Sequence, residues 1–261
     1  MVKNLSMEAP LLQFEAERYP KDTLDNLMAE FRERGYVILP KVYRRDSVDA
    51  YVQQVKQALV FDGLEWDLPI DSPLIIWPAQ APRVRQTLTP ALSHSVANPL
   101  PSLYMNRWLI QPSEDPNSVP EWHKDREPDG MPGQEYHYPK DVFVGMYFDD
   151  LTWEKGPTRI IPGSHRDNSL LPKVSPDTPI FCQKEDALLF DQRTWHCGSP
   201  RKVPGLRILA VYGFYPVPLH YSFCFRMPEA QKKAWLQATK REDRVFFGGP
   251  FLPPNELQPH E

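Results

Sequence analysis

Apolar positions in the first sixty residues recur at helical spacing. In the segment DTLDNLMAEFRERG, Leu24, Leu27, Met28 and Phe31 form one stripe. Asp22 is placed to cap this helix, with Asp25 three residues later, and Gly35 to stop it. Tyr36 to Leu39 then reads as a short strand ended by Pro40. A second helix is predicted from a cap at Asp46 or Ser47 to about Val60, burying Val48, Tyr51, Val52, Val55 and Leu59. From Asp62 to Pro101 the pattern weakens, and Trp66, Ile75, Ile76 and Trp77 sit among prolines. That stretch is long for a plain connection and is expected to hold a substrate lid or an interface.

Beyond Ser102 the period changes to two. Leu103 to Gln111 is an apolar and aromatic strand with Arg107 at its centre. Val142, Val144, Met146 and Phe148 share one face of the next strand, and Phe143, Gly145 and Tyr147 the other. Ala187 to Phe190 is a short strand, and Leu206 to Phe214 is the strongest in the chain. Glu229 to Lys240 reads as a last helix entered through Pro228, followed by a proline-rich tail from Gly248 that is expected to fray or dock. Helices first and strands afterwards predict an all-β core with helices, a double-sheet domain over 1–261 with N-terminal helical support.

Composition agrees with that outline. The 30 prolines in 261 residues are about twice the usual share and argue for loops and edges over long helices. A net charge of −4 with no basic strip argues against nucleic acid as a partner. No apolar run approaches the length of a membrane span, so no membrane partner is expected. The first twenty residues have no apolar core of the secretory kind. The 3 cysteines, Cys182, Cys197 and Cys224, fit no zinc spacing and read as free thiols in a reducing, cytoplasmic setting.

Several places carry candidate chemistry. In an extended Trp122-His123-Lys124-Asp125 segment, His123 and Asp125 point the same way and Lys124 does not. An imidazole and a carboxylate on one face are two ligands of a facial triad, which a distant histidine completes. His165-Arg166-Asp167 offers the same spacing but follows the turn Pro162-Gly163-Ser164. His196 follows an apolar strand at what would be a barrel rim. Arg207 shares a strand face with Leu209, Val211 and Gly213 in a segment apolar on both sides. A buried arginine there needs an anionic partner, such as a carboxylate cosubstrate, or a structural ion pair. Along the strand before the metal motif, Tyr104, Asn106 and Trp108 share one face and Met105, Arg107 and Leu109 the other, and the pattern does not say which faces the centre.

The order of these motifs resembles the phytanoyl-CoA dioxygenase family. It runs His123-x-Asp125, GPTRIIPGSHR from Gly156 to Arg166, LLFDQRTWHCGSP ending at Pro200, and Arg207 eleven residues after His196. The resemblance implies a double-stranded β-helix (jelly roll, cupin-like) flanked by N-terminal helices. It also implies an Fe(II)- and 2-oxoglutarate-dependent dioxygenase that uses O2 and releases succinate and CO2. His123, Asp125 and His196 are then the metal ligands and catalytic centre. Arg207 is the clamp for the distal carboxylate of 2-oxoglutarate, and His165 belongs to a structural turn. Ser199 stands where a hydroxyl after the distal histidine can help the clamp. Asn106 is the candidate polar contact to cosubstrate or substrate, and Trp122 and Trp195 are candidate pocket walls. Asp125 argues against halogenation, since family halogenases have a small residue there. Hydroxylation of a small molecule in biosynthesis is the leading expectation. Desaturation, epoxidation or ring closure at the same site stay open, as does a non-catalytic protein with a degenerate site. Arg83, Arg85, Arg107, Lys124, Arg126, His137, Arg159 and Arg193 are candidates for clamping an acidic substrate, most of them reading equally as solvated. Specificity is expected in 60–80 and 126–140, in a monomer or homodimer.

Overall fold

The computed structural model describes residues 10–61, 65–92, 100–111, 121–126, 139, 141–167, 177–217 and 228–248. In chain order the elements are α1 (Lys21–Arg34), β1 (Tyr36–Leu39), α2 (Arg45–Ala58), β2 (Val60–Phe61), β3 (Trp66–Asp67), α3 (Pro82–Leu92), β4 (Leu100–Gln111) and β5 (Val142–Met146). They continue with β6 (Thr158–Ile160), β7 (Thr178–Pro179), β8 (Ala187–Asp191), β9 (His196–Gly198), β10 (Arg207–Val217), α4 (Glu229–Gln237) and α5 (Arg241–Gly248). The larger sheet has the order β1-β8-β5-β10-β4, the smaller β7-β6-β9, and every pair is antiparallel. Among the described residues no helix is long and apolar enough to cross a membrane.

Alternation along β5 and β10 sorts the two faces of the larger sheet as the sequence pattern predicts. Val142, Val144, Met146, Ile208, Ala210, Tyr212 and Phe214 pack under the helices, with Phe31, Val48, Tyr51 and Leu88. Phe143, Tyr147 and Val211 face the smaller sheet, with Ile160 and Ile180. Each buried leucine- or valine-sized side chain contributes about 1.5–3 kcal/mol, so the helical layer holds the outer face of the sheet firmly.

The stretch expected to form a lid or interface is largely core. Leu74, Ile75, Ile76, Ala79 and Ala81 are buried, and α3 packs Val84, Leu88, Ala91 and Leu92 inward. Short 3-10 turns there leave backbone carbonyls that need donors. Buried hydroxyls and an indole supply them. Tyr51 donates to Leu74 O at 2.9 Å, Tyr212 to Ile75 O at 2.7 Å, Tyr43 to Pro78 O at 3.0 Å, and Trp108 Nε1 to Ile75 O at 3.2 Å. Among its described residues the start stays at the surface, with Trp66 and Ile70 exposed. Helix α3 was hidden by Pro82 and Pro90, yet Pro82 occupies a first-turn position where its missing N–H costs little.

The helix starts also differ from expectation. Pro20 precedes α1 and Arg44 precedes α2, and neither helix has a side-chain cap. Asp22 instead sits in the first turn, favourable to the helix dipole. Ser47 accepts from Gln13 N at 2.9 Å and so ties the N-terminal segment to α2. Helix α5 was not foreseen; it buries Val245, Phe246 and Phe247 against the sheet. Cys182 and Cys197 are buried and form no disulfide, whereas Cys224, the 127–138 loop with His137, and the tail beyond Gly248 lie outside the described residues.

Gly35 ends α1 in the left-handed region at φ 80°, its N–H bonded to Phe31 O at 2.8 Å. Its carbonyl accepts from Asp191 N at 2.8 Å, so the stop also pins the end of β8. His165 packs against it, donating from Nε2 to Arg32 O at 3.1 Å. A methyl group on Gly35 would lie 2.5 Å from His165 Nδ1 and 2.7 Å from Thr194 Oγ1. Gly35→Ala is therefore expected to lower unfolding free energy by about 2–4 kcal/mol in urea titration, from clash and a left-handed backbone together. A loss under about 1 kcal/mol would show that the turn gives way freely.

His165 is 5% exposed, and burial lowers its pKa from the ordinary imidazole value of 6.5 despite the nearby Asp191 carboxylate. The folded chain favours its neutral form. The stability it contributes is complete above that value and is lost as pH falls below it toward the lowered folded-state pKa. Urea midpoints measured between pH about 7.5 and 5 should fall more steeply for the native chain than for His165→Gln. Parallel profiles would contradict this.

Candidate metal centre

The smaller sheet gains one more rung where the 121–126 segment meets β9. His123 N–H donates to His196 O at 3.0 Å, and His196 N–H returns to His123 O at 3.0 Å. Directly opposed residues of an antiparallel pair send their side chains to the same face. The two imidazoles accordingly stand 4.3 Å apart between ring centres. Asp125 N–H donates to Gln192 O at 3.0 Å, which continues the extended path and returns Asp125 to the side of His123. Asp125 Oδ2 lies 3.3 Å from His196 Nε2, and Oδ1 lies 3.8 Å from His123 Nε2. One donor atom from each of the three residues falls within 4.8 Å of the others, and this is the one such cluster found among the described residues.

Both rings are oriented from behind. His123 Nδ1 donates to Glu121 O at 3.0 Å, and His196 Nδ1 to Thr194 O at 2.9 Å. A carbonyl only accepts, so each Nδ1 carries the proton and each Nε2 presents a lone pair to the shared space. His196 is the more enclosed ring, with 12% of its side chain exposed against 49% for His123. Burial opposes its charging, but the Asp125 carboxylate and the Thr194 carbonyl outweigh that and raise its pKa.

The chain around the centre is tied at several points. The β8–β9 turn is closed by a buried fork in which Arg193 Nε and Nη2 donate to Asp191 at 2.9 and 2.6 Å. Ser164 Oγ accepts from Trp195 N at 2.8 Å and donates to Ile161 O at 2.7 Å. Lys124 points away from the centre, as alternation requires, and donates to Ser164 O at 3.1 Å. The rival His165-Arg166-Asp167 thus belongs to a turn that braces the candidate ligands. Trp195 packs under Lys124 and Trp122 under Arg159, so neither tryptophan lines the cleft as a wall.

The three residues open into a cleft of about 500 Å³ between the two sheets. The larger sheet contributes Met105, Arg107, Leu109 and Gln111 of β4, Phe143 and Gly145 of β5, Leu188 and Phe190 of β8, and Arg207, Leu209 and Val211 of β10. Thr158, Ile160 and Gly198 face them from the smaller sheet. Arg207 is held by neutral acceptors: Nη1 donates to Gly156 O at 3.2 Å and Ser199 O at 3.1 Å, and Nη2 to Gln111 Oε1 at 2.5 Å. Ser199 therefore touches Arg207 through its carbonyl. Its hydroxyl is buried without a partner among the described residues and is not part of the cleft lining. The expectation for Asn106 is corrected. It faces away from the cleft and donates to Gln231 of α4 at 3.1 Å, because register pairs Val211 with Arg107 and turns the odd-numbered side chains inward.

Several cleft residues had no signal in the sequence. Tyr104 sits at a register shift opposite Gly213 and Phe214, and the bulge turns it into the cleft despite its even number. Its hydroxyl donates to Asp141 at 3.2 Å and accepts from Gln192 Nε2 at 2.7 Å. Arg126 Nε donates to Asp141 at 2.9 Å and closes this edge of the cleft; burial still holds the Asp141 pKa above the usual carboxylate value. A side chain at Gly213 would strike the Tyr104 and Phe143 rings at 2.8 and 2.9 Å, so glycine makes room for both. Tyr147 shares a hydrogen bond with Thr158, and burial pushes its pKa up to about 12. A run such as FDQRTWH names Gln192 only once the fold places it beside Tyr104.

The family model described as Phytanoyl-CoA dioxygenase (PhyH) matches residues 78–208, half of the chain. Dioxygenase trt7 of Aspergillus terreus is 30% identical over 96 residues, covering 30% of this chain and 34% of that protein, about a third of its length. Among solved structures, HygX from Streptomyces hygroscopicus, with nickel, 2-oxoglutarate and hygromycin B bound, superposes with a TM-score of 0.57 at 21% identity, over 74% of this chain and 87% of that one. EvdO2 from Micromonospora carbonacea var. aurantiaca gives 0.55 at 19% identity, over 74% and 91%. SnoK, a non-heme alpha ketoglutarate dependent carbocyclase from nogalamycin biosynthesis, gives 0.52 at 17% identity, over 76% and 84%. At these identities the likeness carries the fold, an all-β core of the double-stranded β-helix (cupin) type with flanking helices. With the family model matching half of the chain, the chain belongs to the phytanoyl-CoA dioxygenase family.

Proposed function

We propose that this chain is an Fe(II)- and 2-oxoglutarate-dependent oxygenase that hydroxylates an unactivated C–H bond of a small molecule in a biosynthetic pathway. The observation that carries the reading is the convergence of His123 Nε2, His196 Nε2 and the Asp125 carboxylate, with both Nδ1 atoms bound to backbone carbonyls. Two imidazoles and one carboxylate suit a divalent first-row metal and leave coordination positions open. Iron(II), when bound, supplies the oxygen chemistry that no side chain provides. Family membership and the 2-oxoglutarate bound to HygX support the cosubstrate.

The chain's own residues do the rest. His123, Asp125 and His196 bind the metal on one side. Arg207 binds the distal carboxylate of 2-oxoglutarate, its guanidinium aimed by Gly156, Ser199 and Gln111. Neutral acceptors of this kind orient an arginine without opposing its charge. Phe143, Leu188, Phe190 and Val211 line the cleft with apolar surface and exclude water from the reacting C–H. Release of succinate and CO2 accompanies each turnover.

The test is anaerobic addition of Fe(II) and 2-oxoglutarate to the metal-free protein, followed by visible absorption of the chelate. A weak band is expected in the native chain and none in His196→Ala. Native-like turnover in both His123→Ala and Asp125→Ala would overturn the ligand assignment. Arg207→Ala should raise the 2-oxoglutarate concentration needed for half-saturation by about tenfold or more, the worth of a charge-assisted pair. An unchanged requirement would remove Arg207 from the clamp.

A further inference from the structure

Arg107 lies at the centre of β4 and lines the same cleft as the candidate metal centre. Met105 and Leu109 flank it on that face, and Val211 is its partner across the sheet. It is exposed, and it makes no hydrogen bond, ion pair or ring contact with any residue described. The cleft's other arginines are occupied: Arg126 pairs with the buried Asp141, and Arg207 is held by Gly156, Ser199 and Gln111. A cation among apolar neighbours adds nothing to sheet packing, and an aliphatic residue there would serve the fold better.

Charge points the same way: among the described residues no carboxylate pairs with Arg107. It is also distinct from the cosubstrate clamp. Register places Gln111 beside Arg207 and Val211 beside Arg107, so the two arginines attach four residues apart along the sheet, about 13 Å.

We infer that the substrate of this oxygenase carries an oxyanionic group, a carboxylate or a phosphate ester, that Arg107 binds while the apolar body of the substrate lies across Met105, Leu109 and Val211. The inference rests on the oxygenase reading for the identity of the cleft's occupant. The planar guanidinium fork matches either oxyanion with two parallel hydrogen bonds. Recognition of one non-reacting group of the substrate fixes which C–H reaches the metal.

The test is ligand-observed NMR on the full metal-free chain at fixed ionic strength. The probes are 3-phenylpropanoate, indole-3-acetate and octanoate with their primary amides, and phenyl phosphate with phenol. The native chain should bind at least one anionic probe about tenfold more tightly than its neutral partner. Arg107→Gln should bring the pair to within about twofold, Arg107→Lys should keep part of the preference, and Arg207→Ala should keep it. Which series shows the preference tells carboxylate from phosphate. Binding of no anionic probe, a preference that survives Arg107→Gln, or one that disappears only in Arg207→Ala would each overturn the inference. The Fe(II)–2-oxoglutarate band is recorded on the same samples. Loss of that band in the native chain with an Arg107-dependent preference intact would remove the oxygenase reading and leave the anion site; a normal band with no preference would do the reverse.

Discussion

Two backbone hydrogen bonds, exchanged between His123 and His196, hold the rest of the centre in place. A side chain can reach a metal from many backbone positions, but two imidazoles share a site only if their strands are in register. The mutual bridge sets that register. A slip of one residue would turn His123 out and Lys124 in. Everything nearby guards against the slip: Gln192 O receives Asp125 N–H, Lys124 is drawn to the Ser164 carbonyl, and the Arg193–Asp191 fork closes the turn that delivers His196. These ties come from three separate stretches of chain. The centre is therefore a product of tertiary structure, built where the elements meet, and not a local motif that folds alone.

That dependence explains what could be read from the sequence. Strand β10 announces Arg207 because one arginine interrupts a segment apolar on both faces, and period two alone sends it into the cleft with Val211. Strand β5 sorts its faces for the same reason. Strand β4 does not. Its two faces, Tyr104-Asn106-Trp108 and Met105-Arg107-Leu109, are equally mixed in polarity, and only pairing with β10 decides between them. The bulge at Gly213 then breaks the alternation and brings Tyr104 in while Asn106 stays out. Helix α3 and the 3-10 turns before it were obscured for another reason. Proline signals a loop by local rules, whereas here long-range hydroxyl donors from Tyr43, Tyr51 and Tyr212 make proline-rich backbone stable in a core.

The helical layer has a functional consequence through those same bonds. Tyr212 is fully buried on the outer face of β10, one residue from Val211 in the cleft. Trp108 stands likewise beside Arg107 on β4, with its indole nitrogen fixed to Ile75 O. Side chains on the dry face thus lock the two strands whose opposite face carries Arg107, Arg207 and the apolar floor. Rigid strands place functional groups more accurately than loops do. The cleft's binding groups sit mainly on strands, and the turns supply carbonyls that aim them.

Balance of charge completes the account of why this cleft suits oxidation of a bound small molecule. In the proposed reading Asp125 would offset part of the charge of a dication, and Arg207 would answer an anionic cosubstrate. An unreactive C–H bond offers a protein nothing to grip. Selectivity at such a bond must come from groups elsewhere on the substrate, and in a cleft of about 500 Å³ lined by leucine, valine and phenylalanine the apolar wall gives affinity without direction. One strongly oriented polar contact supplies direction. Arg107 is the residue inferred to make that contact, on the cleft face of β4 between Met105 and Leu109 and opposite Val211. A cation on a rigid strand, at a distance from the metal ligands, would let the position of one substrate group decide which carbon is oxidised.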